Sequence, residues 1–488
     1  MNNLEKLNEL ESNNISSLDK VKKEHSNKTK KKKTSEDKTY DKKENDKTNK
    51  KRNRSIKNRN KRKGRRKVNK KRVIILIITL IIIMISFLMF IIYQNNEERK
   101  LEQQEELKNE IMSHYNEYVI TEKDSYIYKL ENNTYVKSGK IGKNQELTLV
   151  ETNITYKNEY LEISSLDKPY YIHYKDITKI DSLTETTISS TRYKKYIVFN
   201  SNIVTNEITN FYDETNNLIY TFNESFNLPI IVKKEEIYGV EYNDQLLYVK
   251  KEDVKEIIKT ENTDKKNTSG IAVMNYHFFN NSDDPSDSCN QIICLSTNNL
   301  KKHLDYIKEN NIFTPNMKEL EMYIDGYIQL PKSVVLTIDD GWRAKIGSEV
   351  ISEYGLNATI FLMSKYYDPR NYQNEYIEVH SHGYDIHNGG LCPGGQGGEI
   401  KCMEKTKLLE DLKASRDKLN NTTYFCYPFY EYNDYSIEVL KEAGFTMAFG
   451  GYGEAGNYKV KPGINKFKLP RYVIYNYTTA STLASYIN

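Results

Sequence analysis

Hydrophobic and polar positions divide the chain into stretches of distinct texture. Val73–Tyr93, VIILIITLIIIMISFLMFIIY, is 21 uninterrupted apolar residues, long enough to cross a hydrocarbon core of about 30 Å, and it predicts a transmembrane helix. Gln94–Tyr118 is rich in Glu, Gln and Lys, with Leu107, Ile111, Tyr115 and Tyr118 at helical spacing, which predicts a short stalk helix. From Val119 the pattern changes to short alternating runs of Tyr, Ile, Val and Thr broken by Asn, Gly and Asp, as in small β domains. Leu147–Ile180 closes on YYIHYKDITKI and Pro229–Ile258 on LLYVKKEDVKEI. Both place an aromatic-rich strand before a Lys-Asp turn, so two small β domains are expected, over 119–185 and 186–260. Residues 261–269 (ENTDKKNTS) read as a linker. From 270 to 488, apolar strands alternate with helical patterns, which predicts one α/β domain, a barrel with its site at the C-terminal strand ends.

Charge sharpens this division. Residues 1–72 carry 28 Lys and Arg against 10 Asp and Glu, a net +18, and residues 73–93 carry none. The remaining chain has 44 basic against 57 acidic residues, a net −13. A basic tail is therefore tied to an acidic body. The tail has too little apolar content to offset its ordering entropy and is expected to be disordered. Lys30–Lys33 could neutralise nucleic-acid phosphates, but nothing there would read bases and no aromatics interleave, so no nucleic acid is expected. The block KRNRSIKNRNKRKGRRKVNKKR ends at the apolar run and reads as a topology signal that also meets anionic lipid headgroups. The basic side stays cytoplasmic, which predicts a single-pass cell-membrane protein whose residues after Tyr93 are extracellular. A signal peptide is the competing reading; the long basic lead and the lack of an A-x-A-like site argue against it.

All five cysteines lie late, at 289, 294, 392, 402 and 426, without a CxxC pattern. The spacings 289 to 294 and 392 to 402 would each suit a disulfide loop, and buried reduced thiols are an equal alternative.

Candidate chemistry sits in four places. SVVLTIDDG (333–341) is a buried-looking strand that delivers Asp339 and Asp340 to a glycine turn. A surface acidic turn is the plain alternative. IEVHSHGYDIHN (377–388) runs into His380, His382 and His387, three of the eight histidines of the chain, which points to metal ligation. YFCYPFYEYN (424–433) closes a strand on Tyr427-Pro428-Phe429, where the proline leaves the Phe429 amide to aim at a ligand. FKLPRYVI (467–474) places Arg471 in an apolar run, where a lone Arg usually finds a carboxylate.

In this order the four elements resemble the NodB-homology polysaccharide deacetylases, carbohydrate esterase family four. TIDDG is similar to that family's TFDDG, SHGYDIH to its SHTxxH and CYPFY to its Y-P-Y-G turn, over roughly 270–488. The opening VMNYHFF and the late LPRYVI look closest to the branch acting on poly-N-acetylglucosamine. The resemblance implies a distorted (β/α) barrel, preceded here by two small β domains whose texture resembles SH3-like cell-wall modules. It also implies Asp339 as general base, Asp340, His382 and His387 as ligands of a divalent metal, zinc or else cobalt or nickel, and Phe429 and Tyr427 at the oxyanion and substrate. Three departures accompany it. The histidines are five apart rather than four, with His380 as the fallback ligand. Cys426 occupies the usual arginine position, which makes Arg471 the candidate for orienting Asp339. The late histidine acid of many relatives is missing, and His277 is its candidate substitute.

The expected activity is metal-dependent hydrolysis of N-acetyl groups from an extracellular N-acetylglucosamine polymer, either poly-N-acetylglucosamine or peptidoglycan, with release of acetate. The rival is a catalytically impaired wall-binding or sensor protein. A serine hydrolase is disfavoured, because the chain has no G-x-S-x-G elbow.

Overall fold

The computed structural model describes residues 69–150, 159–164, 168–184, 191–262, 264–388, 392–393, 395, 397–451 and 458–488. The basic tail through residue 68, and 151–158 within the first β segment, lie outside the described residues.

Helix α1 (Lys70–His114) is one continuous helix of 45 residues, where the sequence predicts separate spanning and stalk helices. No proline or glycine interrupts it, so nothing breaks the i to i−4 ladder between the apolar and the charged parts. Among the described residues it is the one helix long and apolar enough to cross a membrane. Its last turns pack on the β region: Ile111 is fully buried in that region's core, with Leu107 and Tyr115 against it. His114 Nδ1 lies 2.9 Å from the Ile177 carbonyl oxygen.

The β region departs from the expected pair of separate barrels. Strand Leu218–Phe222 pairs antiparallel with Thr134–Ile141, which joins the two segments in one nine-stranded sheet. Core residues from both, such as Ile127, Tyr170, Phe211, Phe222 and Tyr242, form a single cluster. The physical reason is that a small module alone buries little apolar surface, and fusing the two gives the rings a common interior. Two three-stranded sheets flank it, Glu146–Thr148/Tyr118–Thr121/Ile177–Lys179 and Asn227–Pro229/Ser201–Thr205/Val254–Lys259. Arg192, in the turn Thr191–Lys195, ties the β region to the α/β domain: its Nε donates to Glu319 Oε1 at 2.9 Å and its Nη2 to Glu319 Oε2 at 2.6 Å.

The α/β domain is built on parallel strands β1 (Ile271–Tyr276), β2 (Val334–Asp340), β3 (Ala358–Leu362), β4 (Ile377–Ser381), β5 (Tyr424–Cys426) and β6 (Met447–Phe449), adjacent in that order. The short β7 (Tyr472–Val473) pairs parallel with β1, and Leu469 just before it bridges to Phe449 of β6. The result is a strongly curved, half-barrel sheet. Its concave interior is filled by Val273, Val335, Phe361, Met447, Phe449 and Leu469. The alternate residues Met274, Leu336, Ile338 and Ile360 face outward onto helices α2 (Thr297–Glu309) and α4 (Ala344–Glu353). Both faces of β2 are covered, which explains why VVLTI reads as a continuous apolar run. Helix α3 (Met317–Ile324) opens on an Asn316/Glu319 capping box, α5 (Lys405–Lys418) on a Glu404 cap, and α6 (Asp434–Glu442) on an Asn433/Ser436 capping box. Thr479 caps the terminal α7 (Ala480–Ile487). Disulfides join Cys289 to Cys294 and Cys392 to Cys402, while Cys426 is a buried free thiol.

Candidate active site

The C-terminal ends of β1, β2, β4 and β5 converge on two acidic groups with different partners. Asp339, the penultimate residue of β2, is 1 % exposed. Both its oxygens are held by Arg471, Nη1 to Oδ1 and Nη2 to Oδ2, each at 2.8 Å. Arg471 is itself fully buried and fixed by Nε to the Gly450 carbonyl at 2.9 Å and Nη2 to Cys426 Sγ at 3.0 Å. Burial alone would raise the Asp339 carboxyl, but the guanidinium outweighs it and holds the group below the ordinary carboxylate value. Burial and the same two charges leave the Cys426 thiol pushed well up, hence protonated.

Asp340 ends the strand with φ +74°, the left-handed region, and so turns its carboxylate away from that of Asp339. Its Oδ1 lies 3.3 Å from His382 Nε2 and 3.2 Å from His387 Nε2. The His382 ring is oriented from behind, because Nδ1 lies 2.9 Å from the Cys426 carbonyl; donating there leaves Nε2 facing Asp340. The two imidazoles hold the Asp340 carboxyl below its usual range despite burial, and Asp340 in turn raises His387.

The five-residue spacing of the two histidines is absorbed by a braced turn. Gly383 sits at φ +89°, and the Asp411 carboxylate of α5 accepts the amides of Tyr384 at 2.8 Å and Asp385 at 2.7 Å. His380 belongs elsewhere. It is still in β4, and its ring packs against Phe361 and Tyr424, with Nδ1 2.7 Å from Thr422 Oγ1 and Nε2 3.2 Å from Glu378 Oε2. This corrects its assignment as fallback ligand. The strand ends at Ser381, so the rule that residues two apart share a face does not extend to His382.

Behind Asp339, at the end of β1, lies His277. Its Nε2 is 4.0 Å from Asp339 Oδ2 and 3.3 Å from the Tyr430 hydroxyl, which also accepts from Asn275 Nδ2 at 3.1 Å. Burial lowers the His277 pKa, partly offset by Asp339. Its Nδ1 has no hydrogen-bond partner among the described residues.

The turn after β5 carries two left-handed non-glycine residues, Phe429 at φ +56° and Tyr430 at φ +61°. Its own hydrogen bonds run from the Tyr430 amide to Tyr427 O and from the Glu431 amide to Pro428 O. The Phe429 ring lies 4.5 Å from that of His387. Tyr427 is a correction: its ring is fully buried and its hydroxyl donates to the Phe467 carbonyl at 3.1 Å, so the side chain supports the core instead of meeting a substrate.

Residues that the sequence reading did not single out are Tyr430, Asn275 and Asp411. Tyr430 had a signal, since it stands where the Y-P-Y-G turn has glycine.

The ligand atoms of Asp340, His382 and His387 lie within 4.8 Å of one another. In a tetrahedral zinc site with bonds of about 2.0–2.1 Å, adjacent ligand atoms are about 3.3 Å apart. The two Asp340 distances match that edge, so this donor set fits a divalent cation.

Residues 328–448 match the family model for Polysaccharide deacetylase. The chain is similar in structure to a de-N-acetylase from Aggregatibacter actinomycetemcomitans, at 20% identity over 44% of this chain and 99% of that one, with a TM-score of 0.37. It is similar to IcaB from Ammonifex degensii, at 18% identity over 46% and 98% of the two chains, with a TM-score of 0.38. A polysaccharide deacetylase from Bacillus cereus is matched at 15% identity over 70% of this chain and 99% of that one, with a TM-score of 0.36. No curated protein matches the chain. The family match supports a polysaccharide deacetylase domain, and with it a hydrolase of the de-N-acetylase kind. Asp339, Asp340, His382, His387 and Phe429 lie inside the matched segment; His277 and Arg471 lie outside it.

Proposed function

We propose that the protein is a single-pass membrane enzyme whose outward-facing domain removes N-acetyl groups from an extracellular N-acetylglucosamine polymer, using a divalent metal. The observation that carries this reading is the pairing of two adjacent carboxylates with separate surroundings: Asp340 facing two imidazole nitrogens, and Asp339 locked to a buried arginine. Asp340, His382 and His387 would hold the cation, with zinc, cobalt or nickel suited to an imidazole and carboxylate set. When bound, such an ion polarises the acetamide carbonyl and lowers the pKa of a water, so that a weak base can deprotonate it.

Asp339 is that base. Both of its oxygens accept from Arg471 and Oδ2 accepts also from the Cys426 thiol at 3.5 Å, so Oδ1 keeps a lone pair for a proton. Arg471 keeps the carboxylate ionised and aimed. Water attacks the acetamide carbon as its proton passes to Asp339, and the Phe429 amide donates to the resulting oxyanion. The carbon–nitrogen bond then breaks as His277, 4.0 Å from Asp339, passes the proton that Asp339 took from water on to the departing sugar amine, which leaves both side chains as they began. Acetate and a free amine are the products.

The −13 charge of the chain after residue 93 disfavours polyanionic substrates and tolerates neutral or cationic glycans, which favours poly-N-acetylglucosamine over peptidoglycan. The test is acetate release by the full-length chain in detergent from each polymer, with Zn²⁺, Co²⁺ or Ni²⁺ supplied. Release from neither polymer refutes the deacetylase reading. Release that survives Asp340→Ala refutes the metal assignment.

A further inference from the structure

A deacetylase that works on a polymer must hold the sugar units that flank the one it cleaves. An uncharged pyranose offers few strong handles besides its hydroxyls; its ring faces carry C–H groups, which bind best against a flat aromatic surface. The chain has one tryptophan, Trp342, and it stands two residues beyond Asp340, within about 7 Å along the backbone. It is 43 % exposed.

Single exposed aromatics are ordinary on protein surfaces. Trp342 differs in how firmly it is held. Its ring stands T-shaped to that of Phe278, at 4.8 Å between centroids and 75° between planes, and Phe278 directly follows His277. The backbone on both sides is locked. The Tyr372 hydroxyl donates to the Gly341 carbonyl at 3.2 Å, and the Ala344 amide closes the turn on the same oxygen, also at 3.2 Å. Arg343, left-handed at φ +56°, donates from Nε to the Phe279 carbonyl at 2.6 Å and from Nη2 to the Asp287 carboxylate. Its guanidinium carbon lies 5.5 Å from the Trp342 ring centroid. Several contacts thus present one wet aromatic ring at the rim of the site, between the ends of β1 and β2.

We propose that Trp342 is a glycan-stacking platform for a pyranose unit next to the one deacetylated, and so a determinant of polymer over monomer use. This rests on the deacetylase reading above. Its place at the rim separates its role from the chemistry: it binds substrate and moves no proton.

Because Trp342 is the sole tryptophan, emission of the full-length chain in detergent, excited at the red edge of the indole band where the 40 tyrosines do not absorb, reports on this residue alone. Titration with a soluble N-acetylglucosamine oligomer is expected to shift or quench the emission. Trp342→Ala should raise KM for the oligomer about tenfold, equivalent to about 1.4 kcal/mol, while hydrolysis of a small chromogenic acetate ester stays at the wild-type rate. Trp342→Phe should recover most of the oligomer affinity. The proposal is overturned if emission is unmoved at oligomer concentrations that saturate acetate release, if KM is unchanged in Trp342→Ala, or if ester and oligomer hydrolysis fall together. Absence of acetate from every aminosugar polymer would instead sink the deacetylase reading, an outcome separate from the emission measurement.

Discussion

Arg471→Met replaces a buried guanidinium with an uncharged side chain of similar length and leaves Asp339 without its counterion. Deleting one partner of a buried pair costs about 3–5 kcal/mol. Protonation sets a ceiling on this loss: from its ordinary pKa of 3.8, keeping Asp339 neutral at pH 7 costs about 4.4 kcal/mol at 1.36 kcal/mol per unit. The expected loss at pH 7 is therefore about 3–4.4 kcal/mol, which for a domain of roughly 200 residues lowers Tm by about 6–18 °C. In the wild type the folded carboxyl is depressed, so its contribution is present above the ordinary pKa and is lost as pH falls through the folded value. In the variant the folded value is raised, so the penalty is full at pH 7 and fades toward pH 4. The Tm gap between the two proteins must narrow over that interval, and the part that belongs to the wild-type pair persists until the pH falls below the ordinary value. Thermal unfolding followed by Trp342 fluorescence measures the gap. A gap under about 2 °C at pH 7, well below the calculated range, would refute the charge argument. So would a gap as large at pH 4 as at pH 7, which would trace the loss to packing.

Other expectations follow from the same geometry. Asp340→Ala should abolish binding of about one Zn²⁺ per chain by equilibrium dialysis, and a chelator should remove activity from the wild type, restored by added metal. His277→Gln should lower kcat for acetate release by about 10²–10⁴-fold; Tyr430→Phe should lower it less, with the circular dichroism spectrum unchanged in both. Ile111→Ala, at a fully buried position of α1, should destabilise the β region by about 2–5 kcal/mol, read as faster hydrogen exchange in the neighbouring strand Ile177–Lys179.

Much of the α/β domain was legible because its signals are local. A strand buried on both faces shows as an apolar run, and a strand end shows as a run stopped by Asp340-Gly341 or by Ser381-His382. The β region was less so. The pairing of 218–222 with 134–141 joins residues some eighty apart, and texture along the chain carries no information about such register. His380 illustrates a related limit, since the alternation that places it holds only while the strand continues. Arg471 was reachable as an anomaly, a charge in an apolar run. Asp411 was not, because nothing in KLLEDLKAS tells a surface carboxylate from one that caps a distant turn.

The backbone around Phe429 and Tyr430 has a consequence for any attempt to harden this protein against heat. Left-handed conformations at bulky residues cost about 1–3 kcal/mol each, and glycine relieves them. Glycine at 430 would release that strain, but it would also delete a ring packed against Gly451 and the Arg471 guanidinium and the hydroxyl to which Asn275 donates, a loss of about 3–5 kcal/mol that outweighs the relief. Heat selection should therefore leave this turn strained, because the side chain that causes the strain is the one that carries the hydroxyl meeting His277.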